Sequence, residues 1–402
     1  MENYMNKKLL ALAVAAALAP AAAMADNGNV TIYGQMNASV DSVSTGRVSN
    51  SVRTTQINDN SSRLGFKGTE DVGNGLSAVW QIEGGLSADG ASSSTSGQNT
   101  GGSSYSGVTL GSRDTFVGLT GGFGTAILGR HDTPYKIATR SLDVFADNIA
   151  DNRSIMGQSG NGATTFDGRQ SNVIAYISPT MSGFTGAIGY VAGAEGVNSS
   201  TQTKGSAWSL AGLYGNGPIF GSLSYEKHNV GNALTGTLGD PSGLAAPGIA
   251  GANESAWKIG GGYTMDAFKV GLVYEKTNDN FGDKLGKSSS NMFGHHSIYL
   301  SGAYTMGANV LKLAYTKASD LNDTADLGSN TGAKQYSFGV DHHMSKRTTV
   351  YALYSKVKND TNGVYGLTGG SNGGVAGGAL GASAVATGQD PSVFSLGMKH
   401  SF

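Results

Sequence analysis

Arg63, Arg113 and Arg169 each stand at the head of a short run in which polar or small residues alternate with apolar ones. The carboxylates Asp132, Asp143, Asp147 and Asp151 gather instead in one stretch between two such runs. A guanidinium stays ionised and offers a rigid, weakly hydrated fork, so this segregation can shape an electric field or hold anions. It is poor material for covalent catalysis. No G-x-S-x-G elbow, H-E-x-x-H or P-loop motif occurs. The adjacent pairs His295-His296 and His342-His343 would point to opposite faces of a strand, so neither pair can close on one metal. With no cysteine, thiolate metal sites and disulfide frameworks are excluded, and no cofactor is expected.

The elements that position these residues are written in the composition. The chain has 402 residues, 63 of them Gly, and only 14% are charged. Gly is scattered rather than placed at every third position, which excludes collagen, and the low charge excludes a charge-rich disordered chain. A formal charge of −1 gives no global field for nucleic acid. Residues 1–25 read as an export signal: Lys7 and Lys8 precede the apolar Leu9–Leu18, and Ala23-Met24-Ala25 forms a small-residue cleavage site. Residues 26–402 are then one domain outside the cytoplasm.

Within that domain, period-2 patterning recurs from end to end. Ile32, Met36 and Val40 alternate with Tyr33, Gln35 and Asn37, and Leu64 and Phe66 alternate with Arg63, Gly65 and Lys67. Sixteen such runs begin near Val30, Arg63, Leu76, Arg113, Thr125, Arg169, Thr185, Ala207, Ile219, Ala256, Phe268, Ser297, Asn309, Lys334, Thr348 and Ser392. Their connections alternate strictly between long and short. Hairpins in a transmembrane barrel behave this way, with short periplasmic turns and long outer loops, whereas a β-sandwich mixes turn lengths at both ends. A secreted parallel β-helix would need a regular short repeat, and none is present. On Trp208–Tyr214 and Trp257–Tyr263, aromatics sit six residues apart on one face, about 20 Å at the rise of a strand. Two aromatic girdles around an apolar band need such a spacing.

Several stretches resemble the general porins of Gram-negative outer membranes, and most nearly the trimeric porins of β-proteobacteria. They are Val30-Thr31-Ile32-Tyr33-Gly34, Ser62 to Asp71 (SRLGFKGTED), Ser112 to Leu119 (SRDTFVGL), Leu128-Gly129-Arg130, Arg169 to Asn172, and Ser392 to Phe402. The resemblance implies sixteen antiparallel strands, a homotrimer in outer-membrane lipid, and passive diffusion of small hydrophilic solutes and ions. It also implies a terminal strand, ending on Phe402, that the barrel-assembly machinery reads. Substrate-specific channels with a saturable site and barrel enzymes are the alternative readings.

A sixteen-stranded barrel is too wide to sieve metabolites unaided, so a segment must fold inward. His131–Gly168 is the candidate, being the longest connection and rich in charge. It supplies Asp132, Asp143, Asp147 and Asp151 as constriction-loop residues, with Arg140 and Arg153 beside them. Parity points Arg63 and Lys67 inward, opposite Leu64 and Phe66; Arg113 inward, opposite Phe116; and Arg169 inward, opposite Ile174 and Tyr176. These arginines match wall positions of the resembled porins, as does the neutral Gln35. Arg130 shares parity with Leu128, placing it outward or beyond its strand, and is a secondary candidate. A wall of Arg and Lys leans a pore toward anions, and Arg63→Glu with Arg113→Glu is expected to turn it toward cations.

Overall fold

In the computed structural model the described residues are 29–46, 53–88, 108–158, 166–192, 205–231, 250–367 and 385–402. The export signal expected at 1–25 and parts of several long connections lie outside them. The described residues form one closed antiparallel sheet. β1 is Val30–Ser44 and β2 runs from Arg53 to Gly73 with a break at Asn60–Ser62. β3 is Leu76–Leu86, and β4 comprises Val108–Thr109 and Thr115–Gly121. β5 (Gly124–Asp132), β6 (Arg169–Ile177), β7 (Phe184–Ala192), β8 (Ser206–Asn216), β9 (Ile219–Asn229) and β10 (Asn253–Met265) follow. The circuit ends with β11 (Phe268–Asp279), β12 (His296–Met306), β13 (Asn309–Ala318), β14 (Ala333–His343), β15 (Thr348–Asn359) and β16 (Ser392–Ser401).

Two strands are interrupted rather than doubled. The two halves of β2 pair with successive halves of β1, Ser44↔Arg53 to Ala38↔Asp59 and then Gln35↔Arg63 to Val30↔Gly68. The two pieces of β4 likewise share β3. Sixteen strands therefore close among the described residues when β16 pairs with β1 from Ser44↔Ser392 to Gln35↔Ser401. Closure leaves no sheet edge, which a membrane requires. The breaks are satisfied locally: the Asn37 amide donates to the Asn60 carbonyl at 3.0 Å, and the Arg113 N–H donates to the Glu83 carbonyl at 3.1 Å.

The short connections follow from turn chemistry. Asn74 and Gly75 have φ of 54° and 74°, the left-handed pair that a two-residue I′ hairpin demands. Around the barrel the outward face is apolar. Leu128, Ile174, Leu223 and Leu313 are each more than half exposed, the reverse of a water-soluble fold. Aromatic contacts bound this band on both sides. Tyr190–Trp208 (4.7 Å), Trp257–Tyr274 (5.2 Å) and Tyr315–Tyr336 (5.2 Å) lie toward the long loops. Phe184–Tyr214 (4.6 Å) and Phe268–Tyr304 (4.5 Å) lie toward the short turns.

Candidate functional site

The connection after β5 enters the barrel and packs on its inner wall. It begins with helix α1 (Pro134–Arg140), whose N-cap Thr133 accepts from the Lys136 N–H and whose first residue is proline, both strong starting signals. Tyr135 fixes α1 to the wall: its N–H donates to Ser209 Oγ at 2.9 Å and its hydroxyl to Glu275 Oε2 at 2.8 Å. The returning arm uses the same patch. Gly157 N–H donates to Glu275 Oε1 at 2.9 Å, and Asp167 pairs with Lys258 Nζ at 2.5 Å, which itself lies 4.1 Å from the Tyr135 ring centre.

Between the arms, Leu142 occupies a socket of glycines. A Cβ on Gly262 would come within 2.7 Å of Leu142 Cδ2, one on Gly260 within 2.9 Å of Cδ1, and one on Gly271 within 3.3 Å of Cβ. Side chains here would hold the segment off the wall. Gly262→Val is therefore expected to destabilise the folded segment by about 1–3 kcal/mol, the usual cost of overpacking. Limited proteolysis should then cut the variant within residues 134–157 under conditions that leave the wild type intact. Beyond Leu142, buried Phe145 packs in a cluster with Leu353 and Val357. The Asp147 carbonyl then accepts from the Asn37 amide of β1 at 3.1 Å, so the segment reaches from β5 across to the seam of the barrel.

There a chain of charges joins segment to wall. Arg63 Nη1 meets Asp147 Oδ2 at 3.1 Å, and Arg140 Nη2 meets Asp147 Oδ1 at 2.8 Å. Arg140 also holds Asp151 at 2.6 Å and Asp143 at 3.6 Å, and Arg153 holds Asp151 at 3.0 Å. Asp147 is 30% exposed as a side chain, while Asp143 and Asp151 are at 1% and 0%. Asp147 thus faces the open lumen, and the other two carboxylates are enclosed in the segment. Asp132, at the end of β5, pairs with Lys136 and with Arg169, both at 2.9 Å.

The remaining wall candidates are also partnered. Arg113 forms a short, buried ion pair with Glu83, whose other oxygen accepts from the Tyr33 hydroxyl at 2.8 Å. Arg169 binds Asp114 at 2.6 Å. Gln35 donates to the Ser61 carbonyl at 3.1 Å, and exposed Lys67 lies 5.2 Å from the Tyr33 ring centre. Arg130 is tied across its neighbours, to the Ser112 carbonyl at 3.0 Å and Ser171 Oγ at 2.7 Å.

On β4 the alternation is the reverse of that expected from sequence. Val117 and Leu119 are the outward residues, and Phe116 lines the lumen opposite Gln81. Arg113 nevertheless reaches inward because Leu110–Asp114 lies outside the ladder and resets the alternation. Sequence reasoning missed Glu83, which alternation with Trp80 and Ile82 marks as inward, and Asp114, which lies in that break and has no such signal.

Protonation of the segment has a definite sign. Burial, reinforced by the charge of Asp151, pushes the Asp143 carboxyl up to about 6. Against partial desolvation at Asp147 and full burial at Asp151, Arg140 holds both carboxylates well below the usual range. A raised carboxyl favours the folded segment at low pH and loses that contribution as pH rises through about 6. The depressed pair contribute fully above their ordinary values and lose that contribution as pH falls below them. The segment should therefore be held most firmly near about pH 4, with the Asp143 contribution lost between there and about 6. Spontaneous flicker in single-channel current should be least there, increase as pH rises through about 6 and level off by about pH 7, and Asp143→Asn should abolish that increase.

Comparison with known proteins agrees with this architecture. The profile of the Gram-negative porin family matches residues 11–362. The major outer membrane protein P.IA of Neisseria meningitidis serogroup C is 30% identical over 406 residues, covering 89% of this chain and 95% of that protein. The major outer membrane protein P.IB of Neisseria gonorrhoeae is 28% identical, covering 86% and 91%. Among solved structures, an anion-selective porin from Comamonas acidovorans superposes with a TM-score of 0.69 at 23% identity, over 93% of this chain and 99% of that one. An inside-out sixteen-stranded barrel, a charged segment folded across its lumen and this family match together make the chain a member of the Gram-negative porin family, an outer-membrane channel for passive diffusion of small hydrophilic solutes and ions.

Proposed function

We propose that the lumen is narrowest between Arg63, Gln35 and Lys67 on the wall and Asp147 on the inward segment, and that it leans weakly toward anions. One observation carries this reading: Asp147, the most exposed of the ion-paired acids on the segment, stands between two partly exposed arginines, Arg63 and Arg140. Lys67 adds an exposed cation on the Arg63 face. The remaining acids of the segment are buried or neutralised, so the charge a passing ion meets is positive. Arg113, Arg169 and Asp132 act one layer back, held in pairs that fix the wall. The charges serve permeation, and no catalytic step is assigned to them.

The working form is a homotrimer in outer-membrane lipid, assembled through recognition of the terminal strand. In support, Phe402 closes the seam by exchanging backbone hydrogen bonds with Gly34 at 3.0 and 3.1 Å. Planar-bilayer recording of the purified protein tests the reading. It calls for closures in three equal steps, current that rises with salt without saturating, and a zero-current potential on the chloride side of a KCl gradient. A cation-side potential would contradict the selectivity, and single-step closure the trimer.

A further inference from the structure

Three successive cross-strand rows on the outward face of β13, β14 and β15 change character toward the outer rim. Leu313, Phe338 and Tyr354 form an apolar row, Tyr315, Tyr336 and Lys356 the next, and Lys317, Lys334 and Lys358 the last. Leu313 and Phe338 are more than half exposed and Tyr336 and Tyr354 about 40%, so these rows face out of the barrel. Lys317 is the direct partner of Lys334, and Lys334 of Lys358. Like charges directly opposite one another destabilise a sheet, and adjacent strands put the three ammonium stems within about 10 Å. Among the described residues no carboxylate lies within ion-pair distance of these three. The nearby Lys356 has Asp390 at 3.8 Å. Lys276 on β11 continues the belt, directly opposite Trp257 of the girdle.

We propose that this lysine row is a binding site for a lipid of the outer leaflet that carries more than one phosphate in its headgroup. The gradient from apolar to aromatic to cationic places the ammonium groups one row beyond the aromatic girdle, where headgroups lie. The apolar row beneath accepts acyl chains. Unpaired charges at this spacing match two neighbouring phosphates better than a zwitterion, whose own cation would be repelled. The site lies on the lipid face, apart from the charges that set selectivity in the lumen.

Native mass spectrometry of the full-length protein in dodecylmaltoside tests it, with diphosphorylated lipid A, its phosphate-free form and sodium pyrophosphate as probes. The wild type is expected to retain the diphosphorylated lipid at least tenfold better than the phosphate-free form. The variant Lys317→Gln/Lys334→Gln/Lys358→Gln should lose that preference, and Lys346→Gln/Arg347→Gln, at a short turn on the opposite rim, should keep it. Relief of repulsion adds a second readout: in lipid-free detergent the triple variant should melt above the wild type, and added lipid should raise the melting temperature of the wild type alone. If the triple variant does not fold, Lys334→Gln, the middle of the row, is read in the same way. Equal retention by wild type and triple variant would overturn the proposal. So would equal loss in the opposite-rim variant, or displacement of the lipid by equimolar pyrophosphate, which would mark a site for free anions only.

Discussion

Arg63→Glu combined with Lys67→Glu is expected to replace the proposed weak anion preference with a cation preference. Both side chains are accessible from the lumen, unlike Arg113, which is buried against Glu83. Glutamate at 113 would face that carboxylate in a dry site and disturb folding before selectivity could be read, so the Arg113 change expected from sequence is the wrong test. In the accessible pair two cations become two anions, a change of four charges. An ion passing about 8 Å away in a water-like medium feels roughly 0.5 kcal/mol per charge. The sum of about 2 kcal/mol is on the order of tenfold or more in permeability ratio. Zero-current potentials in a KCl gradient should change sign, and raising the salt should blunt the effect by screening. An unchanged sign would mean that the ion path avoids this face of the wall.

Arg140→Met should have the largest effect on the inward segment itself. The Arg140 guanidinium contacts Asp143, Asp147 and Asp151 together. Its loss leaves Asp151, fully buried, with Arg153 as its one cationic partner among the described residues. Removing one partner of a buried ion network costs about 3–5 kcal/mol, mostly through the charges left behind. The barrel ladder does not pass through this residue, so the strands should persist while the segment detaches. Expected results are a native heat-modifiable gel mobility, new protease cleavage between residues 134 and 157, and larger, noisier single-channel currents. Arg140→Lys should recover only part of the wild-type behaviour, because one ammonium cannot reproduce the fork that spans three carboxylates.

Strand positions were legible because each depends on local physics. Alternation marks the faces, and turn residues such as Asn74-Gly75 mark the hairpins. Legibility ended where the ladder is broken. The displaced stretch Leu110–Asp114 reverses the phase assigned to Phe116. A register shift opposite Gly129–His131, with Asn172 at a φ of 58°, uncouples Arg169 from the parity of Ile174. Arg169 still meets Asp114 and Asp132, for reasons that alternation does not contain. The loop acids show the same boundary. Their place on one charged segment was readable, but the burial of Asp143 depends on the Tyr299 hydroxyl, which donates to it at 2.8 Å from 156 residues away. The glycine socket for Leu142 is likewise invisible in sequence, where Gly260, Gly262 and Gly271 look like ordinary barrel glycines.

Because the chain has no cysteine, one introduced thiol can test directly whether the inward segment narrows the lumen at Asp147. Asp147→Cys places one thiol in the channel, next to Arg63. During planar-bilayer recording, a bulky thiol reagent added on the long-loop side should lower the current in discrete steps, one per modified lumen, and a reducing agent should restore it. Modification confirmed by mass with no change in current would place Asp147 away from the ion path and contradict the account.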